Sequence, residues 1–291
     1  MFKSGFVNIL GNPNVGKSTL MNRLSGERLS IITSRAQTTR HRIMGIINGD
    51  DFQIVYSDTP GIIKPKYRLQ DSMMKQVSVA LTDADIILYV TDVIEDAQKN
   101  SSYLERIHNT SVPAIIALNK IDLAASDKIN QLKEKWQHLL PGSDLIPVSA
   151  LNNINLDLLF NKIHDLLPEG PLYFPEDVLT DKTQRFFVSE IIREKIFDNY
   201  RKEIPYSVEV RVESYKEEKD IIRISAVIYV LRNSQKGILI GHEGKALKKT
   251  GTQARIYMED FLGKKVFLEL FVKVKKDWRD KNGMLKEFGY E

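Results

Sequence analysis

Through residue 167 of this 291-residue chain, short apolar runs alternate with amphipathic stretches. The runs cover residues 6–10, 52–56, 86–91, 114–118 and 145–148, and each is bounded by Gly, Pro, Asn or Asp. Short, mainly apolar runs of this length mark strands covered on both faces, as in a mainly parallel sheet. Helical periodicity fills the gaps at 18–25, 69–81, 103–108, 129–140 and 156–167. The alternation predicts a doubly wound α/β domain over 1–167, whose ligands bind at the carboxyl ends of the strands.

Residues 168–175 hold Pro168, Gly170, Pro171 and Pro175, through which no helix can continue. A linker over 168–180 is expected there. Beyond it the pattern changes to period two. It shows in 207–212, in 222–230 and in 266–274, where Val266, Leu268, Leu270 and Val272 share one face. Strands with one apolar face form a small sheet covered on one side. Helical patterns at 185–200 and 244–262, and another after the last strand, complete an α+β domain over 181–291. No internal repeat or low-complexity tract interrupts either half.

Composition narrows the function classes only slightly. Hydrophobic residues make up 42% and charged residues 27%, ordinary values for a globular protein, and the net charge is +4. The absence of cysteine excludes disulfides and thiolate metal sites and fits a reducing compartment. No apolar run reaches the roughly 18 residues of a membrane span, and the first residues lack a signal-peptide layout. A soluble, cytoplasmic, monomeric protein is expected.

Chemistry enters after the first strand, where Gly11-Asn12-Pro13-Asn14-Val15-Gly16-Lys17-Ser18 matches GxxxxGKS and Thr19 follows. Glycines let the chain curl so that successive N–H groups face an anion, and the next helix adds its positive end. Lys17 is placed for the β- and γ-phosphates, and the Ser18 hydroxyl for Mg²⁺. Asp58-Thr59-Pro60-Gly61 ends the 52–56 strand, with a carboxylate for the metal and a glycine N–H for the γ-phosphate.

Asn119-Lys120-Ile121-Asp122 follows the 114–118 strand. Guanine offers N1–H and an exocyclic amine side by side, and the Asp122 carboxylate accepts from both. Against adenine that carboxylate is left unpaired, at a cost of several kcal/mol. Asn119 can tie loops together, the Lys120 stem can cover the ring, and Ser149-Ala150 can bring an N–H to guanine O6. Four elements in this order select GTP.

With these motifs in view, the sequence resembles the bacterial Era GTPases over essentially its whole length. The resemblance is carried by Asn14, by Gln37-Thr38-Thr39-Arg40-His41, by Asp58–Gly61 and Asn119–Asp122 as motifs, and by the segment 267–279, FLELFVKVKKDWR. It implies that Thr39 joins Ser18 and Asp58 on magnesium in the GTP state. It implies that Lys17, Thr39 and Gly61 act on the transferring phosphoryl group. It also implies a small-subunit ribosomal RNA partner near the 3′ end and a role in 30S subunit biogenesis. In related GTPases an asparagine at the Asn14 position helps hold K⁺. Ile62 stands where Ras-like switches carry a water-orienting glutamine, which implies slow intrinsic turnover.

Gly241-His242-Glu243-Gly244 precedes a helical pattern with Lys245, Lys248 and Lys249. A GxxG between helices looks like the loop of a KH domain, which clamps about four nucleotides of single-stranded RNA by their backbone. The order of elements suits the type II arrangement. Lys273, Lys275, Lys276, Arg279 and Lys281 add a basic run near the end, and Glu243 is a carboxylate that neighbouring cations must offset. Trp278 is open to two readings, a base-stacking platform or an anchor for the last helix. A rival function is a GTP-regulated membrane-peripheral or signalling protein whose basic end meets anionic lipid. A second rival is a pure RNA-binding protein that holds GTP structurally.

Overall fold

The computed structural model describes residues 1–33, 35, 37–96, 99 and 101–290. It divides into two compact units, Met1–Lys66 with Gln70–Asp181, and Tyr67–Leu69 with Lys182–Glu291.

In chain order, the first eleven elements are β1 (Lys3–Gly11), α1 (Lys17–Ser25), β2 (Ile43–Asn48), β3 (Phe52–Asp58), α2 (Arg68–Thr82), β4 (Ile86–Asp92), α3 (Ser101–His108), β5 (Ala114–Asn119), α4 (Ser126–Leu139), β6 (Asp144–Pro147) and α5 (Leu156–Leu166). The sheet order is β2-β3-β1-β4-β5-β6. Every pairing is parallel except β2 with β3. All residues of β4 are buried, as a central strand with both faces covered requires. Trp136 on α4 is buried against Tyr89 of β4, a packing role.

The apolar pattern does not announce β2. Its six residues are interrupted by Gly45, where a Cβ would lie 2.8 Å from Leu29 Cδ1. The legible signal was the Asn48-Gly49 pair that turns the chain into β3.

The proline-rich 168–180 segment is not a free span. Ser4 N–H donates to Pro168 O (3.0 Å), and the Gln53 side chain accepts from Tyr173 N–H (2.8 Å). Further on, Ile46 N–H donates to Leu179 O (2.9 Å) and Met44 N–H to the Asp181 carboxylate (2.8 Å). Prolines forbid a helix, but an extended segment keeps carbonyls that can pair with the open edge strand β2. The strap therefore packs with the first unit.

The second unit contains α6 (Gln184–Asn199), α7 (Ile204–Ser207), β7 (Glu209–Glu217), β8 (Ile221–Val230), α8 (Asn233–Ile240), α9 (Lys245–Leu262), β9 (Lys265–Val274) and α10 (Asn282–Glu287). Its sheet order is β7-β8-β9, antiparallel then parallel. Ile192, Ile196, Ala226, Ile228, Ala254 and Met258 form a dry core between α6, α9 and the inner sheet face. The first strand starts at Glu209 because α7 takes residues 204–207. A register shift between Val212 and Ser214 breaks the period there, so the alternation reads only to 212. Trp278 is fully buried and donates to Ser207 O at 3.2 Å, which makes it an anchor and removes it as a base platform.

Candidate nucleotide site and nucleic-acid groove

The loop after β1 can only be built from glycine at two points. A Cβ on Gly11 (φ 144°) would sit 2.1 Å from Val90 O, and one on Gly16 (φ 98°) 2.3 Å from Asn119 Nδ2. No side chain caps α1, so its first N–H groups are left for an anion. Lys17 is buried, and its ammonium donates to Gly11 O (3.1 Å) and Asn12 O (2.8 Å). Burial lowers its pKa to about 8, against the opposing pull of Asp58 and Glu95.

Three oxygens from three segments meet beside it. Ser18 Oγ donates to Asp58 Oδ2 (2.7 Å) and lies 2.9 Å from Thr39 Oγ1, which donates to the same carboxylate oxygen at 3.2 Å. Burial raises the pKa of Asp58, while Lys17 and the hydroxyls act the other way. Its second oxygen, Oδ1, is buried with no hydrogen-bond partner. An orphaned carboxylate oxygen beside two hydroxyls is an oxygen-only donor set that suits a hard divalent cation.

The segment after Asp58 divides its work. Thr59 Oγ1 donates to Ile9 O (2.7 Å), and Ile62 N–H donates to Gly11 O (3.0 Å) with the Ile62 side chain buried. These residues and Pro60, also buried, secure the loop rather than face a ligand. A Cβ on Gly61 would come 2.7 Å from Pro13 N, so only glycine permits this approach to the phosphate loop.

At the base end, Asn119 Nδ2 donates to Val15 O (2.8 Å) and its oxygen accepts from Ala150 N–H (3.0 Å). Its side chain ties two loops to a third. Lys120, with φ 61°, reaches Asn14 O and Asp92 Oδ2, both at 2.6 Å. Asp122 accepts from Ser149 Oγ (2.5 Å). Pro13, Lys17, Thr39, Gly61 and Lys120 all line one cavity of about 490 Å³, with Leu151 at its base end.

Two carboxylates here escaped the motif reading. Asp92 accepts from the N–H groups of Ile94 (2.9 Å) and Glu95 (2.8 Å) while pairing with Lys120. Glu95 accepts from Asn12 Nδ2 (2.7 Å), and burial raises its pKa. Their position at the carboxyl end of β4, Asp92 as its last residue and Glu95 just beyond, was the available signal.

In the second unit, Gly241 (φ 71°), Glu243 (φ 53°) and Gly244 (φ 75°) all take the left-handed half of backbone space. A Cβ on Gly241 would lie 2.6 Å from Ala246 Cβ. Lys245 Nζ sits 2.7 Å from the Glu243 carboxylate, so the awkward acid has its counter-charge. His242 stands exposed at the tip. Behind the loop a groove of about 320 Å³ runs between α9 and β9. Gly244 and Lys248 line it, joined by Leu270 from the apolar face of β9 and by Leu247, Gly251 and Arg255, which no motif marks. The missed signal is helical: 244, 247, 248, 251 and 255 fall on one face, with a glycine in mid-helix where close approach is needed.

Lys273 and Lys276 are exposed but do not line the groove. Lys275 does not line the groove either; its ammonium pairs with Glu287 (2.6 Å) and lies over the Tyr229 and Phe288 rings.

A phosphate loop with a guanine selector, followed by a GxxG groove on an α+β unit, defines a P-loop GTPase carrying a type II KH domain. Residues 6–120 match the family model described as 50S ribosome-binding GTPase, and residues 203–279 match that of the KH domain. GTPase Era of Staphylococcus epidermidis is 45% identical over 99% of this chain and 97% of its own length. GTPase Era of Geotalea daltonii is 47% identical over 100% and 98%. The chain belongs to the Era family of GTPases, enzymes that hydrolyse GTP.

Solved structures agree. One of Era in complex with MgGDPNP and nucleotides 1506–1542 of 16S ribosomal RNA superposes with a TM-score of 0.95 at 39% identity, covering 100% of this chain and 99% of the other. A variant of Aquifex aeolicus Era bound to GDP and AlF₄⁻ gives 0.95 and 39%, with 99% of each chain covered.

Proposed function

We propose that this GTPase couples its nucleotide state to single-stranded RNA held in the KH groove. The RNA is the 3′ end of small-subunit ribosomal RNA, and the setting is 30S subunit biogenesis in the cytoplasm. The observation that carries the RNA reading is the groove itself. It has a glycine rim for close approach of a sugar–phosphate backbone, an apolar wall for bases, and Lys248 and Arg255 for charge. The solved relative bound to 16S ribosomal RNA supports the choice of RNA.

In the nucleotide site, Ser18, Thr39 and Asp58 would hold Mg²⁺, consistent with the orphaned Asp58 oxygen. Held there, Mg²⁺ would supply positive charge to offset that of the phosphates. The chain's own part is to bind and orient. Lys17 and the uncapped α1 terminus take phosphate oxygens, Asp122 selects guanine, and Gly61 presents its N–H near the γ-phosphate. The Ile62 side chain is buried and apolar and cannot position water as a glutamine does, which supports slow intrinsic turnover.

The test is filter binding of full-length protein to 16S 3′-end single strands and to anionic vesicles, each with GDP and with a non-hydrolysable GTP analogue. Nucleotide-dependent RNA retention is expected, with no vesicle binding. Vesicle binding without RNA binding would favour the membrane-peripheral reading and sink this one.

A further inference from the structure

The strand that walls the groove has a second face that the nucleotide and KH chemistry leave unused. Leu268 and Leu270 of β9 point into the groove. The residues between and beside them alternate outward, and along that face the strand reads Lys265, Phe267, Glu269, Phe271, Lys273. Two large rings stand in the open there, Phe267 at 44% exposure and Phe271 at 48%. Strand β9 is an edge of its sheet, so nothing within the sheet lies beyond it.

An exposed aromatic on a one-sided sheet is costly unless something covers it. Across the strand pair, Arg223 of β8 is in register with Phe267 and lays its guanidinium over that ring at 5.4 Å. Its remaining partner is the exposed Glu218 (3.0 Å). A guanidinium on a ring presents one more flat, cationic surface, which is what an unstacked base uses. Phe267 and Phe271 are four residues apart, about 13 Å along the strand. At that spacing each ring can serve as a separate platform for a base. Glu269 between them repels phosphate, so this face accepts bases at its centre and phosphates only at its lysine ends, Lys265 and Lys273.

We infer that the outward face of β9 is a second RNA-binding surface, on which Phe267 with Arg223, and Phe271, stack bases of the strand that also threads the groove. This rests on the groove reading above, because the two surfaces are opposite faces of one edge strand and a single RNA can round it. A protein partner or a second copy of this chain would use the same rings differently, through apolar contact alone and without regard to RNA length.

The experiment compares two single-stranded RNAs by fluorescence anisotropy on the full chain. One is about four nucleotides long, enough for the groove; the other is the same sequence extended at either end. The longer RNA should bind more tightly to the unaltered protein. Phe267→Ala and Phe271→Ala should each remove about tenfold of that advantage while leaving the short RNA unchanged. Phe271→Trp should keep the advantage, and its fluorescence should be quenched by the long RNA only. If both alanine variants keep the full length advantage, the second surface is overturned and the groove stands. Failure of the short RNA to bind the unaltered protein overturns both. Loss of a dimer in the alanine variants, with RNA affinities untouched, also overturns it in favour of a copy-to-copy contact.

Discussion

The nucleotide site and the KH groove solve recognition in opposite ways. In the first, almost every polar side chain already has a partner from another loop: Asn119 with Val15 and Ala150, Lys120 with Asn14 and Asp92, Ser18 with Asp58. Exchanging any of them disturbs a neighbour. In the second, Lys245, Lys248 and His242 stand exposed around a glycine rim, and the wall is ordinary apolar packing. A cross-linked site discriminates one small ligand sharply, because a mismatched base leaves the Asp122 carboxylate without its donors. An open groove tolerates variation and takes its affinity from several modest contacts.

That contrast predicts where substitutions bite hardest. Asp122→Asn should invert base choice, because an amide can donate to the oxygen that xanthine carries in place of the guanine amine. A swing of about a thousandfold in the GTP-to-XTP preference is expected in competition assays. An unchanged preference would remove Asp122 as selector. Next in size, Gly241→Asp with Gly244→Asp adds two carboxylates beside the phosphate track, and at Gly241 a Cβ that meets Ala246. RNA affinity should fall by about a hundredfold, while GTP affinity without RNA should hold within twofold, about the noise of such measurements. A parallel loss of GTP binding would mean the groove is not independent of the first site.

The difference also explains what could be read in advance. Phosphate and base motifs are legible because their residues answer to backbone geometry: Gly11, Gly16 and Gly61 each stand where a Cβ would strike another segment of the chain. The parallel sheet was legible because both-face burial leaves short runs that are mainly apolar. By contrast, no hydrophobic pattern in the sequence announces β2 at Gly45, the pairing of the 168–180 linker with the first unit, or the ion pair of Lys275. In each case the partner lies elsewhere in the chain: Leu29, Leu179, Glu287. The groove wall was missed because Leu247 and Leu270 look like any core residues until the fold leaves one side of them open.

Gly251 sharpens this further. It sits inside α9, where alanine would favour the helix by about 1 kcal/mol. A Cβ there would lie 3.2 Å from Leu270 Cδ1, a flexible tip that can move. Gly251→Ala should therefore raise the Tm while weakening RNA binding a few-fold. If stability rises and RNA affinity does not fall, the glycine serves no ligand. The smallest effect expected is that of K⁺. The Asn14 backbone is held by Lys120 at the rim of the phosphate loop, and a monovalent cation there would steady developing charge. Single-turnover hydrolysis should be several-fold faster in K⁺ than in Na⁺ at equal ionic strength, and equal rates would dismiss the idea.

The central claim is that the rigid site governs the open one, and reciprocal linkage tests it most directly. Affinity for 16S 3′-end RNA is measured on protein loaded with GDP or with the GTP analogue, and affinity for the analogue is measured with and without that RNA. RNA should bind more tightly in the analogue state by about 5- to 150-fold, with the same factor recovered from the analogue side. Equal RNA affinities in the two nucleotide states would contradict it, leaving two independent binding domains on one chain.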